Sequence, residues 1–500
     1  MNAPLQPGHL VMVDIEGRAL STDTADFLRE HHIRGVCLFR KNLGTEDEVK
    51  RLVADLREVL GPQALIGIDQ EGGSVARAIF LPQAPAAMAI GAIEDTLEAE
   101  RVAEAVGAAV ARGLKGLGIN WNFAPVLDVN NNPANPVIAE RSFGADPHRV
   151  ARLAAAWMRG SLAQGVACCV KHFPGHGDTH VDSHHALPAV DKSLAELEGL
   201  ELIPFRALAA QAPALMTAHI VYPQLDAEHP ATLSRRILTG LLRESIGYQG
   251  VVISDALMMK AVFDRYGHAR AAVMTLAAGA DLALAQGTRE DQLAALRAVG
   301  EALADGRLDT GEMQAARERL DTLAVRFPAG AAPYPASRRN DDEALMCNAW
   351  AQGLTSLGGA TPPALTTPLR VITQDRVETD GVSEAGLPAD GVAALFAAHA
   401  DVELLRVPDL PRFDPAKLPR DGRLTVLASN HRRRYAAPMK GWSPDLHLAL
   451  WNPFQAADID APAIVTWGYA EGALAALRAW LEGHADARGV PPVMLAPRSH

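Results

Sequence analysis

The fold class predicted is α/β: a (β/α)8 TIM-type barrel followed by a smaller α/β sandwich domain. Three observations predict it. Eight short apolar runs alternate with longer segments of helical period between Leu10 and Leu284. Ionisable residues follow almost every run. A Pro/Ala/Gly stretch then marks a change of composition, in a chain of 500 residues that is too long for one typical domain.

The runs come in order. The first is Leu10-Val11-Met12-Val13, then Gly35-Val36-Cys37-Leu38-Phe39, Ala64-Leu65-Ile66-Gly67-Ile68 and Ile119-Asn120-Trp121-Asn122-Phe123. Val166 to Val170, Ala214 to Ala218, Gly250 to Ser254 and Asp281 to Leu284 complete the set. Near-continuous apolar strands separated by helices indicate a parallel sheet covered on its outer face. Eight such units within roughly 250–300 residues suggest a barrel. A doubly wound open sheet is the alternative that periodicity leaves standing. The residues after the strands favour the barrel, whose strand C-termini share one rim. They are Asp14 and Glu16, Lys41 and Asn42, Asp69, Asp128, Lys171 with His172, His219, and Asp255.

Residues 1–330 are therefore assigned to the barrel, ending at the linker Phe327-Pro328-Ala329-Gly330-Ala331-Ala332-Pro333-Tyr334-Pro335. Residues 341–500 are assigned to the second domain. A helix is expected from Asp341 to Leu357, because Asp341-Asp342-Glu343 suits a helix N-terminus. Apolar runs at Leu369–Thr373, Leu424–Ala428, Leu446–Leu450 and Ala463–Trp467 follow. This half carries no comparable cluster of ionisable residues.

A formal net charge of −12 argues against non-specific nucleic-acid binding. No apolar stretch is long enough to span a bilayer, so no membrane partner is expected. The four cysteines, Cys37, Cys168, Cys169 and Cys347, show no CxxC spacing and read as buried thiols in a reducing compartment. Cys168 and Cys169 are adjacent on a strand and should face opposite ways. The first residues, Met1 to Pro7, lack the basic start and apolar run of a secretory signal. A cytoplasmic location is expected. Nothing in the sequence indicates an oligomeric state.

The densest chemistry lies between Lys171 and His184, where His172, His176, His180 and His184 alternate with Asp178 and Asp182. A metal site is one reading. HxxxH spacing binds metal best on a helix face, however, and Pro174, Gly175 and Gly177 oppose a helix there. No metal and no cofactor are expected. The other reading is proton transfer by His184, its tautomer fixed by Asp182. A hydrogen-bonded pair that merely folds the loop remains open. Asp255, in the apolar setting Ile253-Ser254-Asp255-Ala256-Leu257, is either a nucleophile at the barrel mouth or a helix N-cap. Asp69-Gln70-Glu71-Gly72-Gly73 permits a tight turn and suits sugar hydroxyls. Arg77, Arg141 and Lys171 add cationic donors.

These segments, with Asn122-Phe123-Ala124-Pro125-Val126-Leu127-Asp128, Arg141-Ser142-Phe143-Gly144, Lys171-His172-Phe173-Pro174-Gly175-His176-Gly177 and Met216-Thr217-Ala218-His219, occur in the order of a known family. The chain resembles glycoside hydrolase family 3, in its β-N-acetylhexosaminidase (NagZ-like) branch. The resemblance covers about Val11 to Leu284 and is loose beyond. It implies Asp255 as nucleophile, His184 as acid/base with Asp182 as its partner, and Asp69, Arg77, Arg141, Lys171 and His172 holding a terminal N-acetylglucosamine. The expected activity is a retaining exo-β-N-acetylglucosaminidase acting on small glycans or cell-wall fragments. A mobile histidine loop would use Gly175 and Gly177 as flexible points. Ser74, where the family often has Arg, and Ala139-Glu140 before Arg141 depart from the pattern. Both departures are expected to bear on distal substrate contacts. The rivals are a phosphorylase using the same residues, a β-glucosidase or β-xylosidase, and a non-enzymatic sugar-binding protein.

Overall fold

The computed structural model describes residues 4–182, 187–379, 381–437 and 439–495. The first half is built on eight parallel strands: β1 Val11–Asp14, β2 Gly35–Leu38, β3 Leu65–Ile68, β4 Trp121–Asn122, β5 Ala167–Phe173, β6 Ala214–Thr217, β7 Val251–Ile253 and β8 Ala283–Leu284. Neighbours in sequence are neighbours in space from β1 to β7, and β8 pairs back onto β1, Val11 opposite Ala283 and Met12 opposite Leu284. A bridge between Ile253 and Leu282, with Ser254 N–H donating to Leu282 O at 3.1 Å, brings β7 to β8 and nearly closes the ring. The eight predicted strands are all present, and the open-sheet alternative falls.

Alternation along the strands divides the core in two. Met12, Cys37, Trp121, Phe123, Cys169, Met216 and Ile253 fill the barrel interior, whereas Cys168, Val36, Ile66 and Val252 pack outward against the helices. The adjacent cysteines thus face opposite ways. Helix Thr310–Arg326 plugs the N-terminal end of the barrel with Leu320, Leu323 and Ala324, and Arg34 pairs with Asp321 there at 2.5 Å. Local sequence sets the helix boundaries. Thr45 and Glu48 form a capping box at the start of Glu46–Leu60. Asp95 caps Thr96–Leu117, which ends on Gly118 at φ 89°, a left-handed cap that glycine adopts freely.

The second half holds a six-stranded sheet: β9 Thr355–Leu357, β10 Leu369–Gln374, β11 Val402–Val407, β12 Leu424–Ser429, β13 Leu446–Ala449 and β14 Ala463–Val465. Its order is β9-β14-β13-β12-β10-β11, parallel except for the β9–β14 pair. The expected helix begins earlier, at Ala336, and ends at Gly353. Asp341 to Glu343 are interior to it, and Asp342 is engaged by Arg112 at 2.5 Å and by Tyr334. Ion pairing across the two halves, rather than a helix-end field, accounts for Asp342.

Candidate active site

After β3 the chain turns in a small hairpin, Gln70–Gly72 against Val75–Ala76. Gly72 and Gly73 both have positive φ, and a Cβ on Gly73 would lie 2.7 Å from Ala86 Cβ, so glycine suits the turn on two counts. Asn122 on β4 pins it, donating to Gln70 O at 2.9 Å and accepting from Gln70 N–H at 3.0 Å. The hairpin projects Asp69, Glu71 and Arg77 into a cavity of about 980 Å³ at the C-terminal ends of the barrel strands.

Arg141, Lys171, His172 and Asp255 line the same cavity, so six of the predicted site residues meet in one place. Lys171 Nζ lies 2.7 Å from both Asp69 Oδ1 and Glu71 Oε1. Arg141 grips Glu71 in a bidentate pair, Nε to Oε2 at 2.9 Å and Nη2 to Oε1 at 2.8 Å. Burial opposes ionisation of Glu71, but the Arg141 and Lys171 charges outweigh it and hold this carboxyl well below the usual range. Burial likewise works against the Lys171 cation, and Asp69 and Glu71 raise its pKa regardless. The result is a cluster of paired charges facing the cavity, in which Glu71, Arg141 and Lys171 are held ionised.

The histidine segment is anchored from below. Asp128, fully buried, accepts the backbone N–H groups of His172 (3.1 Å) and His176 (2.6 Å) and bonds His172 Nδ1 at 2.7 Å. Despite its burial, Asp128 has a lowered pKa because of the charge and hydrogen bond of His172. His176 also lines the cavity; burial, and the neighbouring His172, push its pKa down to about 4. Asn135 donates to the carbonyls of His176 and Gly177, and Lys192 ties Asp178 (2.7 Å) to Glu201. Gly175 and Gly177, named as flexible points, are closely packed in this structure. A Cβ on Gly177 would lie 1.7 Å from Val129 O, and one on Gly175 would lie 2.8 Å from Glu201 Cβ. Close packing explains both glycines. Asp182 is partly buried and is not among the cavity-lining residues, and His184 lies outside the described residues.

Asp255 follows β7 and accepts the N–H of Ala256 at 2.8 Å. The next helix starts only at Lys260, with Met259 at its N-cap, so the capping alternative for Asp255 fails. His219 is buried and turned to structural work, bonding Thr232 Oγ1 at 2.8 Å and Ala256 O at 3.0 Å.

The chain is similar to known proteins. Residues 6–323 match the model for the glycosyl hydrolase family 3 N-terminal domain. The chain belongs to glycoside hydrolase family 3. A β-hexosaminidase of Pseudomonas aeruginosa is 38% identical over 293 residues, covering 58% of this chain and 86% of its own length. β-Hexosaminidase A of Pseudoalteromonas piscicida is 37% identical over 345 residues, and the match takes in 56% of that longer protein. Among solved structures, a family 3 β-N-acetylglucosaminidase from Paenibacillus sp. FPU-7 superposes with a TM-score of 0.85 at 33% identity, covering 99% of each chain.

In this family 3 chain the second half also reaches the cavity. Thr379, Gly381, Val382, Glu384 and Ala385 form part of its wall. Arg77 Nη1 donates to Val382 O at 2.8 Å and Glu384 Oε1 at 2.9 Å, and its Nη2 stands 3.9 Å from Asp69. Sequence reasoning missed Glu384, which sits in a stretch without a motif. It also gave no role to Glu71, although Glu71 lies inside a motif already singled out. Ser74 and Glu140, expected near distal substrate contacts, are instead buried partners of each other, Ser74 Oγ donating to Glu140 Oε1 at 2.7 Å.

Proposed function

We propose that this family 3 chain is a retaining exo-β-N-acetylglucosaminidase acting on small glycans or cell-wall fragments in the cytoplasm. The observation that carries the reading is the single cavity in which Asp255 faces the same space as Asp69, Glu71, Arg77, Arg141, Lys171 and His172. The relatives called β-hexosaminidases support the choice of sugar. Thr379, Gly381, Val382, Glu384 and Ala385 form part of the cavity wall, in keeping with a site for a terminal sugar.

Asp255 attacks the anomeric carbon and forms a glycosyl-enzyme ester as the glycosidic bond breaks. His184, oriented by Asp182, gives its proton to the departing oxygen. It then takes a proton from water, whose oxygen attacks the same carbon, releasing the sugar with net retention. Among the described residues two imidazoles line the cavity: His176 is held neutral at pH 7 by its burial, and His172, with Nδ1 on Asp128, is assigned to holding the sugar. The platform of Lys171, Arg141 and Asp69 holds the hydroxyls and the amide oxygen.

Trapping with a 5-fluoro N-acetylglucosaminyl fluoride followed by peptide mapping tests this. A label on the Asp255 peptide is expected, and a stable label elsewhere, or none with activity intact, rejects it. His184→Ala should slow substrates with poor leaving groups by about 10²–10⁴-fold and spare activated aryl glycosides. Equal loss on both would remove His184 from the acid role.

A further inference from the structure

Glu140 is a buried carboxylate that the proposed chemistry leaves unused. Its side chain is 0% exposed, and the neighbouring Arg141 pairs with Glu71 instead. Oε1 accepts from two neutral donors, Ser74 Oγ at 2.7 Å and Trp451 Nε1 at 2.9 Å, while Oε2 has no hydrogen-bond partner among the described residues. A carboxylate so placed costs stability relative to an apolar residue of similar volume. A simple stability contact is therefore a poor account of it.

Its connections supply a better one. Ser74 belongs to the hairpin whose Glu71 grips Arg141, and Glu140 is the residue before Arg141. Arg141, Glu71, Ser74 and Glu140 thus form a closed circuit that fixes the guanidinium against the hairpin. The turn Ala139–Arg141 needs such support, because Ala139 sits at φ 40°, a region uncommon for a residue with a Cβ. The second half provides the outer support. Trp451 donates into the circuit, and Arg432 donates to Val137 O, the carbonyl that also accepts from Arg141 Nη1. Trp451 packs on Tyr469 with ring centroids 4.8 Å apart, and Tyr469 donates to Glu384 O at 3.2 Å, beside the cavity wall.

We infer that Trp451 is a positioning residue for the sugar site, acting through Glu140 on Arg141. The inference rests on the reading of Arg141 as a sugar-binding residue, so the test includes that residue as a control. Steady-state kinetics on an aryl N-acetylglucosaminide are measured for the full chain. Trp451→Phe keeps the ring and removes the donor. KM should rise about 5–10-fold with kcat changed less than about 2-fold, the pattern of lost binding common to ground and transition states. Ser74→Ala, which removes the other donor, should shift KM the same way and serves if Trp451→Phe fails to fold. Glu140→Gln, whose amide oxygen still accepts both bonds, should hold KM near that of the parent. Unchanged KM in Trp451→Phe or Ser74→Ala, or a Glu140→Gln as impaired as they are, overturns the positioning role. Arg141→Lys separates the two failures. If it raises KM while Trp451→Phe does not, the sugar site stands and the positioning role falls; if it leaves KM unchanged, the sugar-site reading itself falls.

Discussion

Lys171 has a side chain only 2% exposed, yet it stands between two carboxylates. Removing it would leave Asp69 and Glu71 to repel each other under a low-dielectric wall. Lys171→Met should cost about 3–5 kcal/mol, the usual penalty for breaking one side of a buried ion pair. Urea unfolding would show it as a lower midpoint with an unchanged slope. The same substitution should depress turnover, since Asp69 loses the partner that holds it. Asp69, Lys171, His172 and Asp255 were legible because each sits in a short motif at the end of a strand, and Arg141 because it opens a motif in a loop; Arg77 lies outside the motifs and drew notice only as a cationic donor. The pairing of Glu71 with Arg141 was not, because its partners are separated by 70 positions in sequence. Glu384 was illegible for a related reason. Its role depends on a fold-back of more than 300 residues onto Arg77.

Among the elements, β5 runs on through Phe173, beyond the apolar run that announced it. Lys171 and His172 are polar but fully in the strand, so hydropathy ended the strand too early. The segment that follows was expected to hinge at its glycines. Its carbonyls are instead claimed by Asn135 and Tyr222, and Gly177 presses on Val129 O. Gly177→Ala should therefore destabilise the fold by about 1–3 kcal/mol or more through overpacking. A thermal scan checks this directly. A hinge would predict the opposite pattern, a slower kcat at an unchanged melting temperature. Glycine in a sequence marks a missing side chain but does not say whether the space serves motion or contact.

At the scale of the molecule, the two halves share a core. Ala86, Met88, Ala89, Ala92 and Ala139 of the barrel half pack with Trp350, Phe454, Val465 and Trp467. Cutting the chain after residue 330 should expose this apolar surface and strip Glu140 of Trp451. The expected product is a barrel half that self-associates on size exclusion and melts earlier than the parent. The second half carries its own pH sensitivity. Burial, and for His431 also the Arg433 charge, depress His431 and His447 to about 3. His447 Nδ1 and His431 Nε2 lack partners among the described residues, so protonation would strand a charged N–H. The unfolded chain takes up these protons near pH 6.5, and the folded one does not until about 3. Stability is therefore full above pH 6.5 and falls as pH drops towards 3, by about 1.4 kcal/mol per unit for each histidine. His447→Gln, which can still bond Ser429, should flatten the loss of melting temperature between pH 6 and about 4.

The seam between β8 and β1 has a consequence in time. The strand that closes the ring is made last, at Ala283 and Leu284, and it must find a partner made first, at Val11 and Met12. A nascent chain therefore carries two open sheet edges for most of barrel synthesis. Each edge is a template for joining another chain. Products released before Ala283 should accumulate as insoluble material even when everything upstream is intact, whereas those released a few residues beyond Leu284 can at least complete the ring.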